Sequence, residues 1–256
     1  MPFMPKRFLT QNTLYCFSPP VMLATMLIEF GGAIYAFWRY RLNKAGRLIV
    51  VGLLALGMFQ LAEYFICEDL FGIHGLSWAR VGFVSITLLP PLGVSLSMAL
   101  AKKKNPHAEV LMWLACAAFV IYYGFFSGAL TSETCQGNYV IFTGDKQAGP
   151  LYGLYYFSLL AVGTYFCFSW AKKTSDKKQA KALRSFAIGY LVFIVPTIVV
   201  ALINPAARAA IPSVMCGFAV MLSFALIFGV LPNAGMQKRT NLSKTDEDKS
   251  QEISFQ

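Results

Sequence analysis

Hydrophobic positions along this chain come in long unbroken blocks, not in alternation. Seven blocks stand out, at 19–38, 48–67, 81–101, 109–129, 151–170, 185–203 and 211–231. Each is long enough to cross a hydrocarbon core of about 30 Å as a helix. Helix is the conformation that satisfies backbone amides inside lipid within one segment, and barrel strands would alternate over about ten residues. The pattern therefore predicts an all-α fold, a seven-transmembrane-helix bundle spanning 19–231. Residues 1–18 read as an extracytoplasmic segment, and 232–256 as a polar, disordered cytoplasmic tail.

Composition sharpens this picture. The chain has 256 residues, 57% of them hydrophobic and only 13% charged, against about 25% charged in a soluble domain. Mean hydropathy is +0.56. A soluble enzyme, a disordered chain and a disulfide-stapled secreted miniprotein are excluded.

Charge sets the expected orientation. Arg39, Arg41, Lys44 and Arg47 follow the first block, Lys102, Lys103 and Lys104 the third. The fifth is followed by Lys172, Lys173, Lys177, Lys178, Lys181 and Arg184, and the tail adds Lys238, Arg239, Lys244 and Lys249. The opposite side holds only Lys6, Arg7, Arg80, Lys146 and Arg208. The positive-inside rule puts the N-terminus outside and the C-terminus in the cytoplasm, in a cell membrane of bacterial type. Trp38, Trp113 and Trp170 fall toward the inner interface and Trp78 toward the outer one, as an aromatic belt requires. The net charge of +10 is then a feature of topology, and the basic rim faces anionic lipid, not nucleic acid. Lys6 and Arg7 precede a polar stretch, so no cleavable signal is expected there.

Polar residues inside the blocks are the candidates for chemistry. Glu29 falls at mid-depth in the first block, where an ionised acid costs about 2.5–3.5 kcal/mol. It shares a helical face with Thr25, Gly32, Ala33 and Ala36 and should face the bundle. In the second block Gln60, Glu63, Tyr64 and Cys67 share a face. Arg80, at a similar depth, is a possible ion-pair partner of Glu63. Tyr122, Tyr123, Tyr155 and Tyr156 lie in the outer halves of the fourth and fifth blocks, where they could wall an outward-facing pocket. Pro90 and Pro91 should break the third helix and Pro196 kink the sixth, freeing carbonyls for a polar central cavity. Gly124 and Gly128 form a small-xxx-small pair that suggests close helix contact.

Cys16, Cys67 and Cys135 all fall on the outer side. One disulfide is expected there, Cys67–Cys135 first and Cys16–Cys67 next, which would pin the loop 130–150 over the bundle mouth. Metal chemistry is not expected, because His74 and His107 lie on opposite sides. No block contains an aspartate, the seventh contains no lysine, and no phosphate-binding or nucleophile-elbow motif occurs. No catalytic residue and no cofactor can be named.

Two sets of residues carry a resemblance. Cys16-Phe17-Ser18, with Phe59-Gln60 and Glu63, resembles small bacterial multi-span membrane proteins that open Met-Cys-Phe-Ser and carry Gln-x-x-Glu in the second span, a group with no assigned function. Fifteen residues precede Cys16 here, a departure from that pattern. Trp78-Ala79-Arg80, Leu88-Leu89-Pro90-Pro91 and the basic run 177–184 look like the seven-span sensor regions that precede histidine kinases. That second resemblance implies signalling without the kinase module, so output would pass to a protein partner.

The expected function is a non-catalytic, sensor-like or small-ligand-binding membrane protein, with Glu29, Gln60, Glu63, Tyr64 and Arg80 holding a ligand or a proton. The alternatives are a proton-coupled transporter titrating at Glu29 and Glu63, and a membrane enzyme acting on a lipid or isoprenoid through Glu63 with Cys16 or Cys67. A structural subunit of a larger complex completes the set. The expected partners are the bilayer, a small molecule and a protein, with no nucleic acid.

Overall fold

The computed structural model describes residues 19–68, 75–136, 139–203 and 211–239. The expected extracytoplasmic segment with Cys16, and residues 240–256 of the expected tail, lie outside the described residues. Helices α1 (Pro19–Arg39), α2 (Lys44–Glu68), α3 (Gly75–Thr87), α4 (Leu89–Leu100) and α5 (Pro106–Phe125) come first. A hairpin of β1 (Leu130–Gln136) and β2 (Tyr139–Gly144) follows, then α6 (Ala148–Lys173), α7 (Lys177–Ile203) and α8 (Ile211–Phe224). The chain continues from α8 as one π-helical turn (Ala225–Val230) and one 3-10 turn (Leu231–Asn233). Counting α3 with α4, and α8 with its extension, gives seven apolar spans among the described residues. The protein is an all-α, multi-pass membrane protein.

The third span is the most enclosed and α5 the most peripheral. Its break falls where the two prolines require it. Pro91 has no N–H for the carbonyl of Thr87, so α3 ends at Thr87 and α4 restarts with prolines in its first turn. The third span also begins at Gly75, not at 81, so Trp78 and Arg80 are helical. α4 stops in a Schellman motif: Lys103 N–H donates to Met98 O and Lys102 N–H to Ala99 O, with Lys102 in the left-handed region at φ 54°.

The sixth span is longer than hydropathy suggests. Hydropathy ends at the charges of 177–184, but helix formation does not. Asp176 caps α7 by accepting from Lys178 N and Gln179 N at 2.9 and 3.3 Å, and Ala182, Leu183 and Phe186 bury one face of that charged turn. Pro196 lies inside α7 without ending it.

Two further expectations are corrected. The stretch 130–150 is not an open loop: β1 and β2 pair antiparallel over it, with Leu130, Val140 and Phe142 buried against the bundle. Nor does order stop at 232. Arg41 N donates to Gln237 O at 3.0 Å, Arg239 N to Arg39 O at 3.1 Å, and Asn43 Nδ2 to Ala234 O at 2.9 Å, stitching residues 234–239 to the α1–α2 turn.

Candidate functional site

Glu29 is fully buried on the inner face of α1, together with Met22, Thr25, Ala33 and Ala36. Its Oε1 accepts from the Ser223 hydroxyl of α8 at 3.4 Å. Its buried Oε2 has no hydrogen-bond partner among the described residues. Ser223 stands at the onset of the π turn, and Gly32, one turn along α1, packs against Ile227 within that turn. Such turns widen a helix locally and recur at functional positions.

Glu63 is buried on α2 and meets a second α8 hydroxyl, that of Ser213. The same Ser213 Oγ lies 3.1 Å from Val140 N and 3.0 Å from Val140 O of β2. A serine has one proton to donate and two lone pairs that accept. Its lone pairs accept from Val140 N–H, and its single proton faces both the Glu63 carboxyl and Val140 O. One hydroxyl thus ties α2, α8 and the free edge of the hairpin together.

The remaining predicted site residues are placed less centrally. Gln60 is buried one turn before Glu63. Tyr64 is half-buried, its ring 6.1 Å from that of Phe65. The expected Glu63–Arg80 pair does not form. Glu63 is taken by Ser213, while the inner face of α3 is made by Ala79, Phe83 and Ile86, which leaves Arg80 to one side. The buried Nε of Arg80 has no partner among the described residues. Cys67 is disulfide-bonded; the side chain of Cys135 and all of Cys16 lie outside what is described. That bond removes Cys67 as a free nucleophile. A Cβ built at Gly124 would lie 3.3 Å from Val84 Cγ2, whereas one at Gly128, beyond the end of α5, would meet nothing within 4 Å, so the pair makes no joint contact.

The carbonyls expected to line a central cavity are otherwise engaged at the α3–α4 break. The freed Thr87 carbonyl accepts from Tyr155 Oη at 2.8 Å and from Cys116 Sγ at 3.6 Å. The Thr87 hydroxyl lies 3.1 Å from Tyr152 Oη. The cavity instead opens above this knot, beneath the hairpin. It holds about 280 Å³ and is lined by Phe83, Tyr123, Phe142, Tyr152 and Tyr156, with Asp145 at its mouth. The rings form one cluster: Phe83 lies 5.1 Å from Phe142 and 5.0 Å from Tyr123, and Tyr123 5.0 Å from Tyr152. None of Glu29, Gln60, Glu63 and Arg80 lines it.

Asp145 is fixed by the Tyr122 hydroxyl at 2.6 Å and by Gln147 N–H at 2.8 Å. Both bonds hold its carboxyl below the usual aspartate value. Ile211, Pro212 and Met215 of α8 close the far wall. Ser213, which meets Glu63, shares this turn of α8 with them but does not itself line the cavity. Two features escaped the sequence reading. Ser213 and Ser223 are the only hydroxyl side chains in the last span, which is the signal that marks them. The aromatic cavity depends on the hairpin, and hydropathy does not report one.

Among the described residues no three His, Cys, Asp or Glu side chains come together as a metal site. No protein-family model matches the chain, and no curated protein matches its sequence.

Proposed function

We propose that this protein binds a small amphiphile in the aromatic cavity beneath the hairpin and acts as a sensor, without catalysis. The observation that carries this reading is the cavity itself: an open-mouthed cleft of about 280 Å³ walled by aromatic rings, whose charged lining group is Asp145, at the mouth. A ligand with an apolar or aromatic body and a polar or cationic end fits such a lining. Its occupancy reaches the rest of the molecule through Ile211, Pro212 and Met215, which share the first turns of α8 with Ser213. The similarity of 78–80, 88–91 and 177–184 to sensor regions points the same way, and output then passes to a protein partner on the basic face.

The test is retention of a small mass. Gly153 lines the cavity, and a Cβ added there meets nothing within 4 Å, so Gly153→Leu is the substitution chosen to fill the space. Native mass spectrometry of the parent protein in mild detergent is expected to show one retained small molecule, and Gly153→Leu to lose it while melting no lower than the parent. Equal retention by both proteins, or a bare parent across a screen of hydrophobic amines and alcohols, would overturn the reading.

A further inference from the structure

A second cavity lies on the opposite, basic face, where α6 ends and α7 begins. Lys172 from the last turn of α6 and Lys177, Lys181 and Arg184 from α7 border a space of about 600 Å³. The three α7 cations recur at four- and three-residue steps, so they stand on one stripe, which Ser185 and Ile188 continue toward the membrane interior. All four cations are exposed, and none makes a described ion pair. The nearest acid in sequence, Asp176, is engaged in capping α7 through Lys178 N and Gln179 N. Lys44, on the same face, is by contrast matched to Glu109 at 3.0 Å.

The positive-inside rule explains the sign of this face but not the convergence of four unmatched cations on one groove, where they repel one another. A bound anion removes that repulsion. The groove's other end identifies the anion's carrier. Ile188 is 54% exposed, eleven residues or about 16 Å along the axis from Lys177, at hydrocarbon depth. Trp170, stacked on Phe166 at 4.5 Å, marks the interface one turn above the α6 terminus. A headgroup held by the cations would run its chains down past Ile188.

We propose that this groove is a specific site for one anionic phospholipid, its phosphate bound by Lys177, Lys181 and Arg184 and its acyl chains lying along Ile188. The full chain in mild detergent, titrated with phosphatidylglycerol and read by native mass spectrometry, is expected to retain one lipid, and phosphatidylcholine to leave none. Lys181→Ala/Arg184→Ala is expected to bind about 30-fold more weakly, the effect of losing two near-surface cations. The charge-preserving Lys181→Arg/Arg184→Lys and the distant Arg41→Ala/Arg47→Ala are expected to bind as the parent does. Matching melting temperatures in lipid-free detergent separate lost binding from lost fold. An equal loss in the Arg41/Arg47 pair would reduce the site to diffuse charge and overturn the proposal. So would equal retention of phosphatidylcholine, or displacement of the lipid by millimolar inorganic phosphate, which would make the site one for free phosphate.

Discussion

Ser213 serves three groups with one hydroxyl, and that makes it the residue on which the hairpin's attachment turns. Two of the three are the backbone N–H and C=O of Val140, fully buried at the free edge of β2. The third is the carboxyl of Glu63. Deleting the hydroxyl leaves all three unmatched, and each buried orphan costs about 1–3 kcal/mol. Ser213→Ala is therefore expected to destabilise by about 3 kcal/mol or more, and hydrogen exchange at 139–144 should rise above that of α4. Glu63→Gln keeps an acceptor toward Ser213 and is expected to cost under about 1 kcal/mol. If Glu63→Gln proves the costlier change, the contact with Glu63, and not the bridge to Val140, is what Ser213 chiefly contributes. The role of Glu63 was legible in part, because a carboxyl in an apolar block must find partners. Its actual partner was not, because Ser213 lies 150 residues away in sequence and a hydroxyl carries no charge to mark a pairing.

At the scale of elements, the seven spans and the break at Pro90-Pro91 follow directly from hydrophobic length and a missing amide. What packs the broken span was harder to read. The Gly124/Gly128 spacing pointed to α5, the most peripheral helix, whereas the close approach occurs at Gly93 on α4. A Cβ built there would lie 1.4 Å from Tyr190 Oη of α7, and one at Gly163 of α6 would lie 3.2 Å from Tyr190 Cε2. A buried tyrosine thus fills a slot between two glycines that belong to different helices and form no motif within either. Gly93→Ala must expel the ring, an overpacking cost of about 1–3 kcal/mol. Adding Tyr190→Phe removes the nearest atom but leaves the ring carbon at 2.7 Å. The double variant should therefore melt above Gly93→Ala alone and still below the parent. Additive losses would place the strain elsewhere. The helical start of α7 at Lys177 was illegible for a related reason: a charged turn looks like a loop to hydropathy, although Asp176 and the buried Leu183 and Phe186 make it a helix.

For the whole molecule, the two faces differ in kind. One carries the hairpin, the disulfide at Cys67, the cavity mouth at Asp145 and few cations; the other carries the basic turns and the stitched C-terminal segment. Insertion responds to this asymmetry through the lysines and arginines of short turns, and a disulfide persists where the surroundings are oxidising. On these two grounds we propose that the hairpin lies outside; they are independent, since one acts during insertion and the other on the folded protein. Exposed positions on each face allow a direct reading. Lys146→Cys, in the turn between β2 and α6, and Ser175→Cys, between α6 and α7, replace residues that are at least partly exposed and contribute to no described hydrogen bond through their side chains. A membrane-impermeant maleimide applied to intact cells is expected to label Lys146→Cys and to reach Ser175→Cys only after permeabilisation, while the buried thiols of Cys116 and Cys167 stay silent. Labelling of Ser175→Cys in intact cells would invert the molecule. The cavity would then sample the interior, and the four-cation groove would face the outer leaflet.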